Sequence, residues 1–260
     1  MTETRLWDRA AAVPVVRDGR RRPQLAALPE DRPSVETLFD FMRDAESRFA
    51  TLRMRVVERS YTARGEDVTT TDVMLRHPGD ARVTTSRTGM TAKGDYEVWI
   101  SDGDLIRTYS GPHRLGTQRP IRNRPRGLSD ADFPGPSRIY EPITPLPTET
   151  MPETFVHPAG YCQNVLATGL CAVVGSDVVN GREAVLLECD HPRTTELPGD
   201  RPDFRIEVAV DRATGMILRL VESMGGSITR EADVVDVGVD VSLPPSAFDF
   251  VFPTGTTMLY

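Results

Sequence analysis

Tyr96-Glu-Val-Trp-Ile-Ser-Asp-Gly-Asp-Leu-Ile-Arg-Thr-Tyr109 decides the fold. Tyr96, Val98 and Ile100 alternate with Glu97, Trp99 and Ser101, the period-two pattern of a strand with one face buried. Asp102-Gly103 then supplies a residue that takes positive φ freely, as a tight hairpin turn requires, and Leu105 to Tyr109 reads as the returning strand. A chain that doubles back in this way builds antiparallel sheet.

The same grammar recurs on both sides. Upstream, Leu52, Met54 and Val56 alternate with arginines, and two Thr- and Val-rich strands, Val68 to Leu75 and Ala81 to Ser86, flank the turn His77-Pro-Gly-Asp80. Downstream, Cys171 to Val179 and Arg182 to Asp190 flank Asn180-Gly181, a strong hairpin signal. Phe204 to Val210 and Met216 to Glu222 flank Asp211 to Gly215; further strand patterns run through Ile228 to Val241 and through Phe248, Phe250 and Phe252. This predicts about nine or ten strands.

Two segments break the pattern. Ser34 is a good N-cap, and Leu38, Met42, Ala45 and Phe49 follow at helical spacing, which predicts an amphipathic helix over 34–49. Pro158 and Gly169 bracket a shorter helix. The fold class expected is therefore mainly β: one strongly curved antiparallel sheet, with the first helix packed on it. Residues 1–32 read as an irregular arm and 33–260 as a single domain. Within it, 110–158 is a Pro- and Arg-rich excursion, with ten prolines from Pro112 to Pro158, too many for a central strand. Such an excursion is expected to be a functional cover or a disordered segment.

The 260 residues are enough for a buried core. The formal charge of −7 opposes phosphate backbones, so nucleic acid is not expected as a partner, and no apolar run is long enough for a membrane helix. No secretory-type leader is evident: Arg20-Arg-Arg22 precedes a stretch too polar for one, so residues alone point to the cytoplasm.

Catalytic fingerprints are missing. No nucleophile elbow, P-loop or dinucleotide motif is present, and the four histidines lack metal-type spacing, so neither an enzyme nor a metal or cofactor is expected. Cys189-Asp-His191 is dense, but strand alternation sends neighbouring side chains to opposite faces. Arg119, Arg122, Arg124 and Arg126 form a possible anion contact through bidentate guanidinium donors, or a solvated loop. Phe248, Phe250 and Phe252 place three rings on one strand face; they fill a core or line a cavity for an acyl chain. With Trp99 and Ile106 they are the candidate ligand-binding residues.

Four segments in order resemble a known family. They are Phe49-Ala-Thr-Leu-Arg-Met-Arg-Val56, the hairpin Val98 to Tyr109, Val208-Ala-Val-Asp-Arg-Ala-Thr-Gly-Met-Ile-Leu-Arg219, and Leu243-Pro-Pro-Ser-Ala-Phe-Asp-Phe-Val-Phe-Pro-Thr-Gly255. Their order over 34–256 resembles the LolA-like proteins: periplasmic lipoprotein carriers, the N-terminal domain of the regulator RseB, and actinobacterial lipoprotein-sorting relatives. The resemblance implies a half-barrel with a helical or loop lid, an extracytoplasmic location, and non-catalytic binding of a lipid or lipoprotein acyl chain. An RseB-type alternative is a regulatory domain acting on a signalling partner such as an anti-sigma factor.

The cysteines follow from the Asn180-Gly181 turn. A regular hairpin puts Cys171 opposite Asp190 and Cys189 opposite Ala172, on different faces, so any intrachain disulfide is expected to join Cys162 to Cys171, with Cys189 a free thiol. A bulge near Gly175 would shift that register.

Overall fold

The hairpin that opened the argument forms as β4, Glu97–Asp102, and β5, Leu105–Ser110, with Val98 facing Tyr109 and Trp99 facing Thr108. The computed structural model describes residues 25, 27–29, 32–90, 92, 94–121, 142–148, 150–190 and 204–259. Most of the 1–32 arm, together with Arg122, Arg124, Arg126 and His191, lies outside them.

Around this hairpin stand β1 (Thr51–Thr62), β2 (Gly65–Arg76), β3 (Asp80–Arg87), β6 (Leu115–Pro120), β7 (Cys171–Val179), β8 (Arg182–Asp190), β9 (Arg205–Asp211), β10 (Ile217–Met224), β11 (Ser227–Val239) and β12 (Thr257–Leu259). All twelve join one curved, unclosed sheet in the order β12-β6-β5-β4-β3-β2-β1-β11-β10-β9-β8-β7. Every pairing is antiparallel except β12 with β6. The long pairing of β1 with β11 joins the two runs of hairpins. The fold is mainly β, as expected.

Facing residues in an antiparallel pair project to the same side. Leu52, Met54 and Val56 of β1 therefore share a face with Val73 and Leu75 of β2, Leu220 of β10, and Val208 and Leu187 of β9 and β8. Helices cover this face, here called the inner one. Helix α1, Val35–Arg43, is capped by the Ser34 hydroxyl, which accepts from the Thr37 N–H at 3.1 Å. It buries Leu38, Phe41 and Met42, each worth roughly 2 kcal/mol once out of water. The helix expected over 34–49 stops early: Asp44 leaves helical geometry and a 3-10 turn, Ala45–Arg48, carries on to the sheet.

Two short helices complete the layer. In α2, Met151–Val156, Thr150 is the N-cap, and Phe155 and Val156 are buried; α3, Pro158–Asn164, follows directly. Thus the excursion at 110–158 holds both β6 and α2. Its prolines allow this because Pro120 ends a strand near the sheet edge and Pro152 sits in a first helical turn, positions where no backbone donor is needed.

The Phe248, Phe250 and Phe252 strand expected from alternation does not form. Pro245–Phe248 is a 3-10 turn, and the chain then runs without strand partners to Pro253, where a turn closed by the Thr256 N–H on the Pro253 carbonyl at 3.1 Å leads into β12. This strap lies on the outer face, where Arg82 donates to the Ala247 and Asp249 carbonyls at 3.3 and 3.4 Å. Phe250 and Phe252 pack against Val98, Ile100 and Tyr109. Extended chain shows a period of two whether or not it pairs, so the pattern alone could not separate strap from strand.

Candidate ligand-binding face

Registers trace rows of side chains across the inner face from β2 to β6. One row is Val73, Val83, Trp99, Thr108, Thr117; the next is Leu75, Ala81, Ser101, Ile106, Arg119. Burial falls along both. Val73, Val83, Leu75, Ala81 and Ser101 are buried, Trp99, Ile106, Thr108 and Thr117 are half-buried, and Arg119 is exposed. The cause is the helix layer, whose main sheet contacts fall on β1, β7 and β10, away from β4 to β6. Trp99 packs at the margin of the filled core.

The hydroxyls on this face find partners within the protein: Thr108 pairs with Thr117 at 2.6 Å, Thr71 with Thr85 at 3.5 Å, and Ser101 donates to the Gly79 carbonyl at 2.7 Å. Their hydrogen-bonding demand is met locally, so the surface between them offers methyls, the indole of Trp99 and the aliphatic Ile106. At its rim stands the guanidinium of Arg119. Arg119 is the one residue of the expected arginine cluster that is described, and the structure sets it directly across from Ile106.

The structure does not bring the five candidate ligand residues together. Trp99 and Ile106 belong to the inner face, whereas Phe250 and Phe252 cover the outer one, and Phe248 lies beneath the Arg76 guanidinium at 4.8 Å from its ring centre. The rings on the outer face are committed to one another. Tyr109 and Phe250 stand 6.0 Å apart, and Phe250 and Phe252 meet edge-on at 5.2 Å. Two hollows open on the outer side: about 430 Å³ beside Gln118, Phe252 and Met258, and about 110 Å³ between Val174, Leu186, Ala209 and Val221.

Sequence reasoning did not set Val83 and Thr108 beside Trp99, Thr117 beside Thr108, or Arg119 beside Ile106. Their strands show period two, but β6 is short, with Gly116 and Pro120 inside it, and nothing in its composition announced a pairing with β5.

The register of a regular hairpin is overturned by a bulge beside Gly175. All three thiols are free. The register slips between Val173 and Gly175, so Cys171 faces Cys189 on the inner side, and Ala172 faces Glu188. Cys162 meets the Met42 sulfur at 3.7 Å instead. Cys189 is also a poor nucleophile: it is 2% exposed, and its contact with Cys171 together with burial pushes its pKa up. No group of three potential metal ligands occurs among the described residues.

Comparison with protein families and with curated proteins finds no match to the sequence. Among solved structures, the chain is similar to MucB of Pseudomonas aeruginosa, in its complex with MucA, at 16% identity and a TM-score of 0.45, over 82% of this chain and 61% of that one. It spans about three-fifths of the MucB chain's length. Similar too are a LolA superfamily protein of Nitrosomonas europaea, at 10% identity, TM-score 0.35 and 84% and 98% coverage, and the Mycobacterium tuberculosis lipoprotein LppX, at 11%, 0.38, and 77% and 94%. At these identities the likeness is one of general architecture, a curved β-sheet.

Proposed function

We propose that the chain binds a fatty acid or a lipid acyl chain, without chemical change, on the inner face of β4 to β6. The observation that carries this reading is the fall in burial from Val83 through Trp99 to Thr117, which leaves an apolar strip beside a filled core. An acyl chain laid there covers Trp99 and Ile106, and each methylene removed from water contributes roughly 0.8 kcal/mol. Arg119 at the rim suits a carboxylate or phosphate head. The LolA-like fold of its structural neighbours supports the same reading.

Native mass spectrometry after gentle purification, followed by titration with a fluorescent fatty acid, tests it. Trp99→Asp and Ile106→Asp should abolish uptake, and Phe252→Ala should spare it in whatever fraction stays folded. Uptake unaffected by the first two substitutions contradicts the proposal.

A second reading, a protein-interaction domain, is favoured by the terminal strand β7. Val174 and Val178 there are 40% and 63% exposed, beside an edge unpaired among the described residues. Such an edge accepts an added strand. The MucB structure contains MucA as its partner, and a peptide partner of this chain would compete with neither Trp99 nor Ile106.

A further inference from the structure

All three cysteines of the chain belong to the core on the inner side of the sheet, near enough to act on one another electrostatically. Cys162 lies on α3, while Cys171 and Cys189 project to the inner face from β7 and β8. The Asp190 N–H donates to the Leu170 carbonyl at 3.0 Å. Leu170 and Asp190 are therefore a hydrogen-bonded pair, and the next pair, Cys171 with Cys189, is of the non-hydrogen-bonded kind, in which Cα atoms approach to about 4.5 Å. That separation lies within the range a disulfide spans, about 4.4 to 6.8 Å.

We propose that Cys171 and Cys189 are a redox-active pair that closes to a cross-strand disulfide, with Cys162 remaining a free thiol. The two members have different surroundings. Cys171 is half-buried on a terminal strand, so an incoming reagent can reach it, whereas Cys189 is buried against it. A hydrogen bond from the Cys189 thiol lowers the pKa of Cys171, which favours Cys171 as the attacking sulfur.

With a low-molecular-weight disulfide such as oxidised glutathione as oxidant, the exchange balances. The Cys171 thiolate attacks one glutathione sulfur, forming a mixed disulfide and expelling one glutathione thiolate. Once Cys171 is a mixed disulfide it no longer holds the Cys189 proton as a thiolate acceptor; Cys189 gives that proton to the expelled glutathione thiolate as it attacks the Cys171 sulfur across the strand pair, and the second glutathione leaves. Two cysteine thiols are oxidised, one glutathione disulfide is reduced to two thiols, and the two cysteine protons end on them. Cys162 is not placed to intercept, since its sulfur lies against Met42 and burial pushes its pKa up to about 12.

The test equilibrates the folded chain with excess oxidised glutathione, quenches with acid, alkylates under denaturing conditions and maps the peptides. The proposal expects one alkylated cysteine, Cys162, and a Cys171 to Cys189 crosslink that disappears in Cys171→Ala and persists in Cys162→Ala. Three alkylated cysteines after equilibration, or a crosslink involving Cys162, would overturn it.

Discussion

Ile106 and Arg119 stand directly opposite each other on β5 and β6, so an aliphatic side chain and a guanidinium share the rim of the inner face. An amphiphile lying on Trp99 and Ile106 would bring its head within reach of that charge. Arg119→Ala should weaken binding of a long-chain fatty acid by about 3- to 10-fold, the scale of a solvated charge-assisted contact, and leave the matching fatty alcohol unchanged. Paired titrations with the two ligands check this; equal losses for both would show that Arg119 does not meet the head group.

The Asn180-Gly181 and Asp102-Gly103 hairpins were legible because turn chemistry and period two agree there. The register of the first was not. Val174 is an extra residue that shifts every pair beyond it, and Val173-Val174-Gly175 carries no signal for which residue is squeezed out. Of the five candidate residues, Trp99 and Ile106 share the inner face. Phe250 and Phe252 were misplaced, because which face a partnerless strap covers is set by tertiary contacts such as those of Arg82. The break at Asp44 was also hidden: the apolar spacing continues to Phe49, although the chain leaves α-helical geometry at Asp44 and is extended by Phe49.

Gly116 gives a test of the strap that spares the proposed site. A Cβ there would come within 2.7 Å of the Phe252 ring. Gly116→Val should therefore lift Phe252 from the outer face and cost roughly 1–3 kcal/mol in a urea titration, with fatty acid affinity unchanged in the folded fraction. A loss of affinity in folded protein would move the ligand to the outer face.

His77 makes stability depend on pH. Its Nδ1 lies 2.7 Å from the Thr144 hydroxyl, which also accepts from the Gly79 N–H, and the ring stacks on Phe49. Burial lowers its pKa to about 4, against about 6.5 in the unfolded chain. The unfolded state therefore gains a proton first on acidification. The contribution is full above about pH 6.5, falls by roughly 3 kcal/mol in all as the pH drops to about 4, and then levels. Denaturant titrations across this window should show a shallower loss for His77→Gln than for the wild type; identical slopes would mean that His77 titrates normally.

Asp211 is 1% exposed and binds Arg182 through two contacts, at 3.0 and 2.7 Å. Its carboxylate also accepts from the Thr214 N–H and hydroxyl, which closes the turn into β10. Arg182→Met leaves that carboxylate without its cation and should cost about 2–4 kcal/mol. Arg182→Met combined with Asp211→Asn should cost less than the sum of the single changes. Additive losses in the double-mutant cycle would mean that the two side chains act independently.

The most direct test uses the two tryptophans, Trp7 and Trp99. In Trp7→Phe, only Trp99 emits. Bromine atoms on an acyl chain quench indole fluorescence only at short range, so titration with a mid-chain brominated fatty acid reports whether the chain lies on Trp99. The account predicts saturable quenching by the brominated acid, little by its unbrominated counterpart, and loss of the effect in Ile106→Asp. Binding of the brominated acid, established independently by mass spectrometry, with no quenching of Trp99 would contradict it.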